Sequence, residues 1–153
     1  VYAKCRQMSQ EGKLDFVIID YLQLLSGTGN YSGNRVTEVS EISRKLKNLA
    51  RDLKVPVLAL SQLSRGVESR QDKRPNMADL RESGSIEQDA DIVMFMYRDD
   101  YYNEESDAPG VVEISISKNR SGATTKFEVL FAKEIGLFRN MRREERKSDS
   151  IYD

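Results

Sequence analysis

Leu14-Asp15-Phe16-Val17-Ile18-Ile19-Asp20 is an apolar run rich in branched residues that ends at a carboxylate. Such a run reads as a strand buried on both faces, as in a parallel sheet. The segment beyond it, Ser26 to Arg35 (SGTGNYSGNR), is dense in Gly, Ser and Asn and is expected to be a mobile loop. From Val36 to Leu53 the apolar positions Val36, Val39, Ile42, Leu46, Leu49 and Leu53 step by three or four, which is the stripe of an amphipathic helix. Glu41 stands four residues before Lys45 as a supporting pair, and Asn34 or Thr37 is placed to cap the helix. Pro56 ends that pattern. Val55 to Leu60 (VPVLAL) reads as a second buried strand closed by the polar pair Ser61 and Gln62. Strand, long helix, strand in this order predicts a right-handed βαβ crossover with the two strands parallel.

The remainder is organised around this unit. Between Gln62 and Met77 the chain is polar, and Arg65, Arg70, Lys73 and Arg74 outnumber Glu68 and Asp72. A basic loop at a strand end is expected to face a ligand. Asp79 to Gln88 is expected to form a short helix or turn before a third buried strand, Asp91 to Tyr97, with Met94, Phe95 and Met96 in the core. Asp99 to Asp107 reads as an acidic, solvated excursion in which Tyr101 and Tyr102 have no assigned role. Val111 to Ser117 alternates apolar and polar residues and enters the turn-like Lys118-Asn119-Arg120-Ser121-Gly122, and Lys126 to Phe131 returns, which predicts a β-hairpin. A short strand is expected around Leu137 and Phe138. The tail from Arg139 to Asp153 mixes both charges with few apolar residues and should fray. The expected division is therefore a folded portion, 1–139, and a charged, disordered tail, 140–153.

Composition limits the chemistry. The chain has 153 residues, 39% of them hydrophobic, which suffices for the core of one domain or part of one. No apolar run approaches the roughly 18 to 20 residues that span a bilayer, so a membrane protein is excluded. The absence of histidine removes imidazole bases, Ser-His-Asp and Cys-His arrangements and His-containing zinc sites. Cys5, the one cysteine, can form no internal disulfide, which fits a reducing cytoplasm. Lys and Arg total 24 against 25 Asp and Glu, and a net charge of -1 still allows a basic strip for nucleic acid beside acidic surface elsewhere.

Four patterns could carry chemistry. Phe16 to Asp20, four apolar residues and an acid at the carboxyl end of a strand, has the form of a Walker B motif, which orients the water shell of a nucleotide-bound Mg2+. The plain alternative is a strand that ends in Asp for reasons of turn formation. The phosphate cradle G-x-x-x-x-G-K-[ST] is not in the sequence: Leu14 follows Gly12-Lys13, and the glycines at 27, 29 and 33 have no lysine among them. Gln62 closes the second strand and would project from the same sheet edge as Asp20, where its amide could sense a γ-phosphate or simply cap the strand. Lys118-x-Arg120 places two cations on one hairpin tip, either as an arginine finger or as ordinary solvated turn residues. Asp79 to Asp91 (DLRESGSIEQDAD) combines Arg81, Gly84 and the hydroxyls of Ser83 and Ser85, the tools for gripping a phosphodiester backbone without reading bases.

Taken in order, IIDYLQLL, LALSQLSR, DLRESGSIEQDADIVMFMYRD and ISKNRSG resemble the carboxyl-terminal RecA-like motor domain of bacterial replicative DNA helicases, the DnaB family, over about Leu14 to Phe138. The resemblance implies an α/β, RecA-like P-loop NTPase fold with a mostly parallel sheet, helices on both faces and a carboxyl-terminal β-hairpin. It also implies a cytoplasmic homohexamer that uses ATP and Mg2+ to move 5′ to 3′ on single-stranded DNA. By position Asp20 matches the Walker B aspartate and Gln62 the γ-phosphate-sensing glutamine. Lys118 and Arg120 match the basic pair inserted into the neighbouring subunit's site, Arg120 being the finger. Arg81, Glu82 and Gly84, with Arg74 nearby, match the channel segment that holds DNA. The Walker A residues, the catalytic glutamate and the amino-terminal domain that meets primase belong to upstream segments of the family, as the primase and loader contacts belong to its full-length members. The isolated chain is therefore expected to be inactive as an ATPase. A recombination or repair ATPase of the RecA type and a non-catalytic interaction module are the competing readings.

Overall fold

A computed structural model describes residues 1–27, 29, 31, 34–83 and 85–141. Two compact units form: Val1–Asp72 with Asn76–Asp91, and Lys73–Pro75 with the chain from Ile92 onward.

The first unit contains α1 (Tyr2–Gln10), β1 (Val17–Ile19), α2 (Arg35–Leu53), β2 (Val57–Ala59) and α3 (Ile86–Asp89). The sequence offered little signal for α1, which buries only Cys5. β1 and β2 pair in parallel with Val17 opposite Val57 and Ile19 opposite Ala59, as the strand, helix, strand order predicts. Asn34 is the cap of α2: its side chain accepts the Thr37 N–H at 3.1 Å. The Glu41–Lys45 ion pair also forms. The helix ends on Lys54, left-handed at φ 55°, whose N–H returns to the Ala50 carbonyl. Its stripe packs as the periodicity requires, with Val39, Ile42 and Leu49 buried, Leu46 and Leu53 against the core and Val36 exposed at the helix start. Leu49 shares one cluster with Cys5, Val17, Ile19 and Val55, whereas Val39 and Ile42 share another with Leu22 and Ile86.

Burial on both strand faces is not what the described residues show. Val17 and Ile19 are buried, but Ile18 is 63% exposed, and Phe16 and Leu60 are also open. Successive side chains of a pleated strand point to opposite faces, and only one side of the β1–β2 pair carries a helical cover. Helices therefore flank one face, and the other remains apolar and open among the described residues.

The second unit is a four-stranded antiparallel sheet in the order β3 (Ile92–Tyr97), β4 (Val111–Asn119), β5 (Thr125–Ala132), β6 (Leu137–Asn140). The α/β class thus holds with a different balance of strand directions among the described residues, one parallel pairing and three antiparallel ones: short turns join β4 to β5 and β5 to β6, and the loop 98–110 returns the chain from β3 to β4. β3 alternates like β1: Val93 and Phe95 are buried, whereas Met94 and Met96 are half exposed and do not belong to the core. Asn140 lies within β6, so the folded portion extends one residue beyond the expected boundary, and 142–153 of the expected tail fall outside the described residues.

The acidic stretch after β3 is more than a solvated excursion. Arg98 grips Asp100 through Nε at 2.9 Å and Nη2 at 3.2 Å, and the N–H of Gly110 donates to the same carboxylate at 2.9 Å. Gly110 has φ 72°, a conformation that suits glycine. Tyr97 donates its hydroxyl to Asp99 at 2.9 Å and stacks on Tyr102, against which Tyr101 sets its edge. Burial, then the bond to Asp99, pushes the Tyr97 hydroxyl up to about 12. The Arg98 hydrogen bonds hold the Asp100 carboxyl below its ordinary 3.8, against partial desolvation and with help from the Gly110 N–H.

A carboxyl lowered in the folded state stabilises the fold above its unfolded value, and that contribution disappears as pH falls through the lowered value. Between about pH 5 and pH 2 the urea midpoint of the chain should fall, and Asp100→Asn should flatten that fall. Equal pH slopes for the two proteins would contradict this account of the loop.

Candidate functional site

Parallel pairing brings two of the expected residues to one edge. Asp20 follows β1 directly, and Gln62 lies just beyond β2; both are exposed. The ladder continues past the strands, with Leu60 N–H on the Ile19 carbonyl and Leu22 N–H on the Leu60 carbonyl, both at 2.9 Å. The Asp20–Tyr21 peptide is cis.

Gln23, absent from the expected site residues, holds this edge together. Its Nε2 donates to Ser61 Oγ at 3.2 Å and to the Gln62 carbonyl at 3.3 Å, while its Oε1 accepts the Gln62 N–H at 3.2 Å. A side-chain amide carries one donor group and one acceptor in a plane, so it completes the strand pairing where the backbones part. The only sequence signal was an amide set within apolar neighbours, Leu22-Gln23-Leu24. Arg35, at the first turn of α2, donates to the Gln23 carbonyl and pairs with Glu38. The Gly27 N–H, then Arg35, holds the Glu38 carboxyl below the usual range. The described part of the expected mobile loop is thus tied to α2 through Gly27 to Glu38 and Tyr31 to Glu41.

For a cation this edge offers one carboxylate. Among the described residues no three His, Cys, Asp or Glu side chains gather into a metal site. Asp20 therefore fits an ion whose other ligands are phosphate oxygens and water, and does not fit a protein-enclosed one.

The hairpin differs from expectation in one respect. Lys118 lies inside β4 opposite Val93, with a register shift between Val93 and Met94, so only Arg120 of the basic pair stands on the turn. The Asn119 side chain shapes that turn: its Nδ2 donates to the Ala123 carbonyl at 3.2 Å and its Oδ1 accepts the Ser121 N–H at 3.3 Å. A Cβ on Gly122 would come within 2.8 Å of that Nδ2, so glycine is needed for the close approach.

The basic loop is largely committed to internal contacts. Arg70 pairs with Asp79, Arg74 grips Glu113 and lies over the Tyr97 ring, and Lys73 lies over Tyr102. Arg74 thus braces the second unit, and Arg65 is exposed. Arg81 and Glu82 lie in the 3-10 helix Met77–Ser83, and Gly84 falls outside the described residues. The Ser85 hydroxyl, expected to grip phosphate, instead donates to Asp89 at 2.9 Å and also bonds the Ser40 carbonyl of α2 at 3.3 Å.

Gln23→Ala should free the Gln62 amide. Its hydrogen exchange, followed by NMR on this chain, should accelerate by about fivefold, the worth of one ordinary hydrogen bond. Unchanged exchange at Gln62 with faster exchange elsewhere would rule out the clamp.

The model of the DnaB-like helicase C terminal domain matches residues 1–140. The replicative DNA helicase DnaC of Bacillus subtilis (strain 168) is 58% identical, and the replicative DNA helicase DnaB of Geobacillus stearothermophilus 59% identical, each over 94% of this chain. The chain spans about a third of the length of these relatives, 32% of each. Among solved structures, an ATPase domain superposes with a TM-score of 0.87 at 51% identity, over 92% of this chain and 50% of that one. A DnaB-like replicative helicase, described with its interactions with primase, superposes at 0.86 and 51% over 92% of this chain and 35% of the other. These neighbours carry the RecA-like α/β fold expected from the motif order. With the family match running through β6 and half or more of the aligned residues shared, the chain belongs to the DnaB-like helicase C-terminal domain family.

Proposed function

We propose that this chain is the carboxyl-terminal part of the motor of a hexameric replicative DNA helicase, which couples ATP hydrolysis to 5′ to 3′ movement on single-stranded DNA and to duplex unwinding. The observation that carries the reading is the shared edge of β1 and β2, where Asp20 and Gln62 lie together with Gln23 bracing the second of them. The open apolar face around Phe16, Ile18 and Leu60 supports the same reading, since such a surface suits cover by further parts of a larger domain.

In this role Asp20 would hold Mg2+ that accompanies ATP, and the ion would supply charge neutralisation on the phosphates. Gln62 reads the γ-phosphate by its amide, which donates and accepts without titrating. Arg120, presented on a turn that Asn119 and Gly122 shape, serves the neighbouring subunit's nucleotide, where a guanidinium stabilises charge on the transferring phosphoryl group. Lys118, one strand position before Asn119, adds a second cation to that site. Arg81, Glu82 and Gly84 hold the DNA backbone. The motor portion runs through β6. The isolated chain, with no phosphate cradle in its sequence, does not turn over ATP. Primase and a helicase loader meet the intact protein in the cytoplasm. No helix among the described residues is long and apolar enough to cross a membrane.

In the intact protein Arg120→Ala should lower DNA-stimulated ATP hydrolysis by about a thousandfold. Wild-type turnover in that variant would remove the finger assignment. Arg81→Ala should weaken single-strand binding and reduce the slope of log affinity against log salt by about one unit. Identical affinity at every salt concentration would exclude Arg81 from the DNA contact.

A further inference from the structure

Asp79 is one of two buried polar residues in the described chain, 5% exposed, and no role has been given to its own side chain. Its carboxylate accepts Arg70 Nη1 at 3.0 Å, Arg70 Nη2 at 2.9 Å and the Asn76 N–H at 2.8 Å. Its carbonyl accepts the Ser64 N–H at 3.1 Å. Three donors on one carboxylate, two of them from a planar guanidinium, fix both distance and angle. An ion pair with one buried and one partly exposed partner contributes little net stability compared with apolar packing and is better suited to fixing geometry.

What the pair connects is informative. Ser64 is two residues beyond Gln62, the amide at the end of β2. Arg70 is in the same excursion, which the 3-10 turn Arg65–Val67 tightens. Asp79 begins the run to Arg81 and Glu82, which share its 3-10 helix. On the far side the same segment is fixed to α2 by Ser85, whose N–H donates to Ser40 Oγ at 3.3 Å. The upstream anchor of the 3-10 helix is therefore bonded directly to the chain leaving Gln62, and Ser85 is fixed to α2.

We propose that the Arg70–Asp79 pair is a positioning device that couples the nucleotide-facing end of β2 to the DNA-facing 3-10 helix. It rests on the function proposed above. A shift of Gln62 toward or away from a phosphate moves Ser64, and the bonds from Ser64 and Arg70 carry that shift to Asp79 and so to Arg81.

The test uses the intact ring and three proteins: unaltered, Asp79→Asn, which removes the carboxylate charge, and Arg70→Lys, which keeps a cation but loses the two-armed grip. ATP turnover is measured with and without single-stranded DNA, and DNA affinity with and without a non-hydrolysable ATP analogue. Basal turnover should stay within about twofold, while stimulation by DNA and the analogue's effect on DNA affinity should each fall by about fivefold or more. If Asp79→Asn disturbs ring assembly, Arg70→Lys supplies the comparison. Unchanged stimulation in a variant that assembles overturns the coupling and leaves the proposed function standing. Parallel loss of basal and stimulated turnover makes the pair a structural brace and also overturns it. An unaltered ring with no DNA-stimulated turnover overturns the proposed function itself.

Discussion

Parallel pairing of two short strands under one helix is the constraint on which the rest depends. β1 and β2 share three register positions, and α2 holds them by burying Leu49 against Val17, Ile19 and Val55. Parallel strands end on the same side, so this pairing alone sets Asp20 and Gln62 on one edge. An antiparallel pair would have separated them by the length of the strands. Gln23 then compensates for the shortness of the ladder by extending it with a side-chain amide.

The second unit is built differently. In it β3, β4, β5 and β6 form an antiparallel ladder, with the β4–β5 turn shaped by Asn119 and Gly122. Arg74 and Lys73, in the loop between strand end and 3-10 helix, pack with this unit through Glu113, Tyr97 and Tyr102. The tyrosines that had no role in the sequence thus belong to an aromatic cluster with Tyr97, beside a loop in which Arg98 pairs with Asp100.

Local periodicity made the βαβ unit, the hairpin and the last strand legible, because each depends on neighbours close in the chain. Cap and stripe of α2 were readable for the same reason. Burial was not. Phe16, Ile18, Met94 and Met96 have the composition of a two-sided core, but their exposure depends on what covers the second face, which no local pattern encodes. Long-range polar contacts were equally hidden: Gln23 with Gln62, Arg70 with Asp79 and Arg74 with Glu113 each join residues that sequence spacing does not pair. For the site, Asp20 and Gln62 followed from strand ends, whereas the place of Lys118 inside β4 depended on how far the ladder with β3 extends.

Under the proposed function one chain contributes to two nucleotide sites, Asp20 and Gln62 to its own and Arg120 to a neighbour's. Electron cryomicroscopy of the intact protein with a non-hydrolysable ATP analogue and single-stranded DNA tests it most directly. The account predicts a ring in which Asp20 and Gln62 of one subunit and Arg120 of the next converge on one γ-phosphate. Nucleotide bound in an ordered ring with Arg120 directed to solvent in every subunit would contradict it.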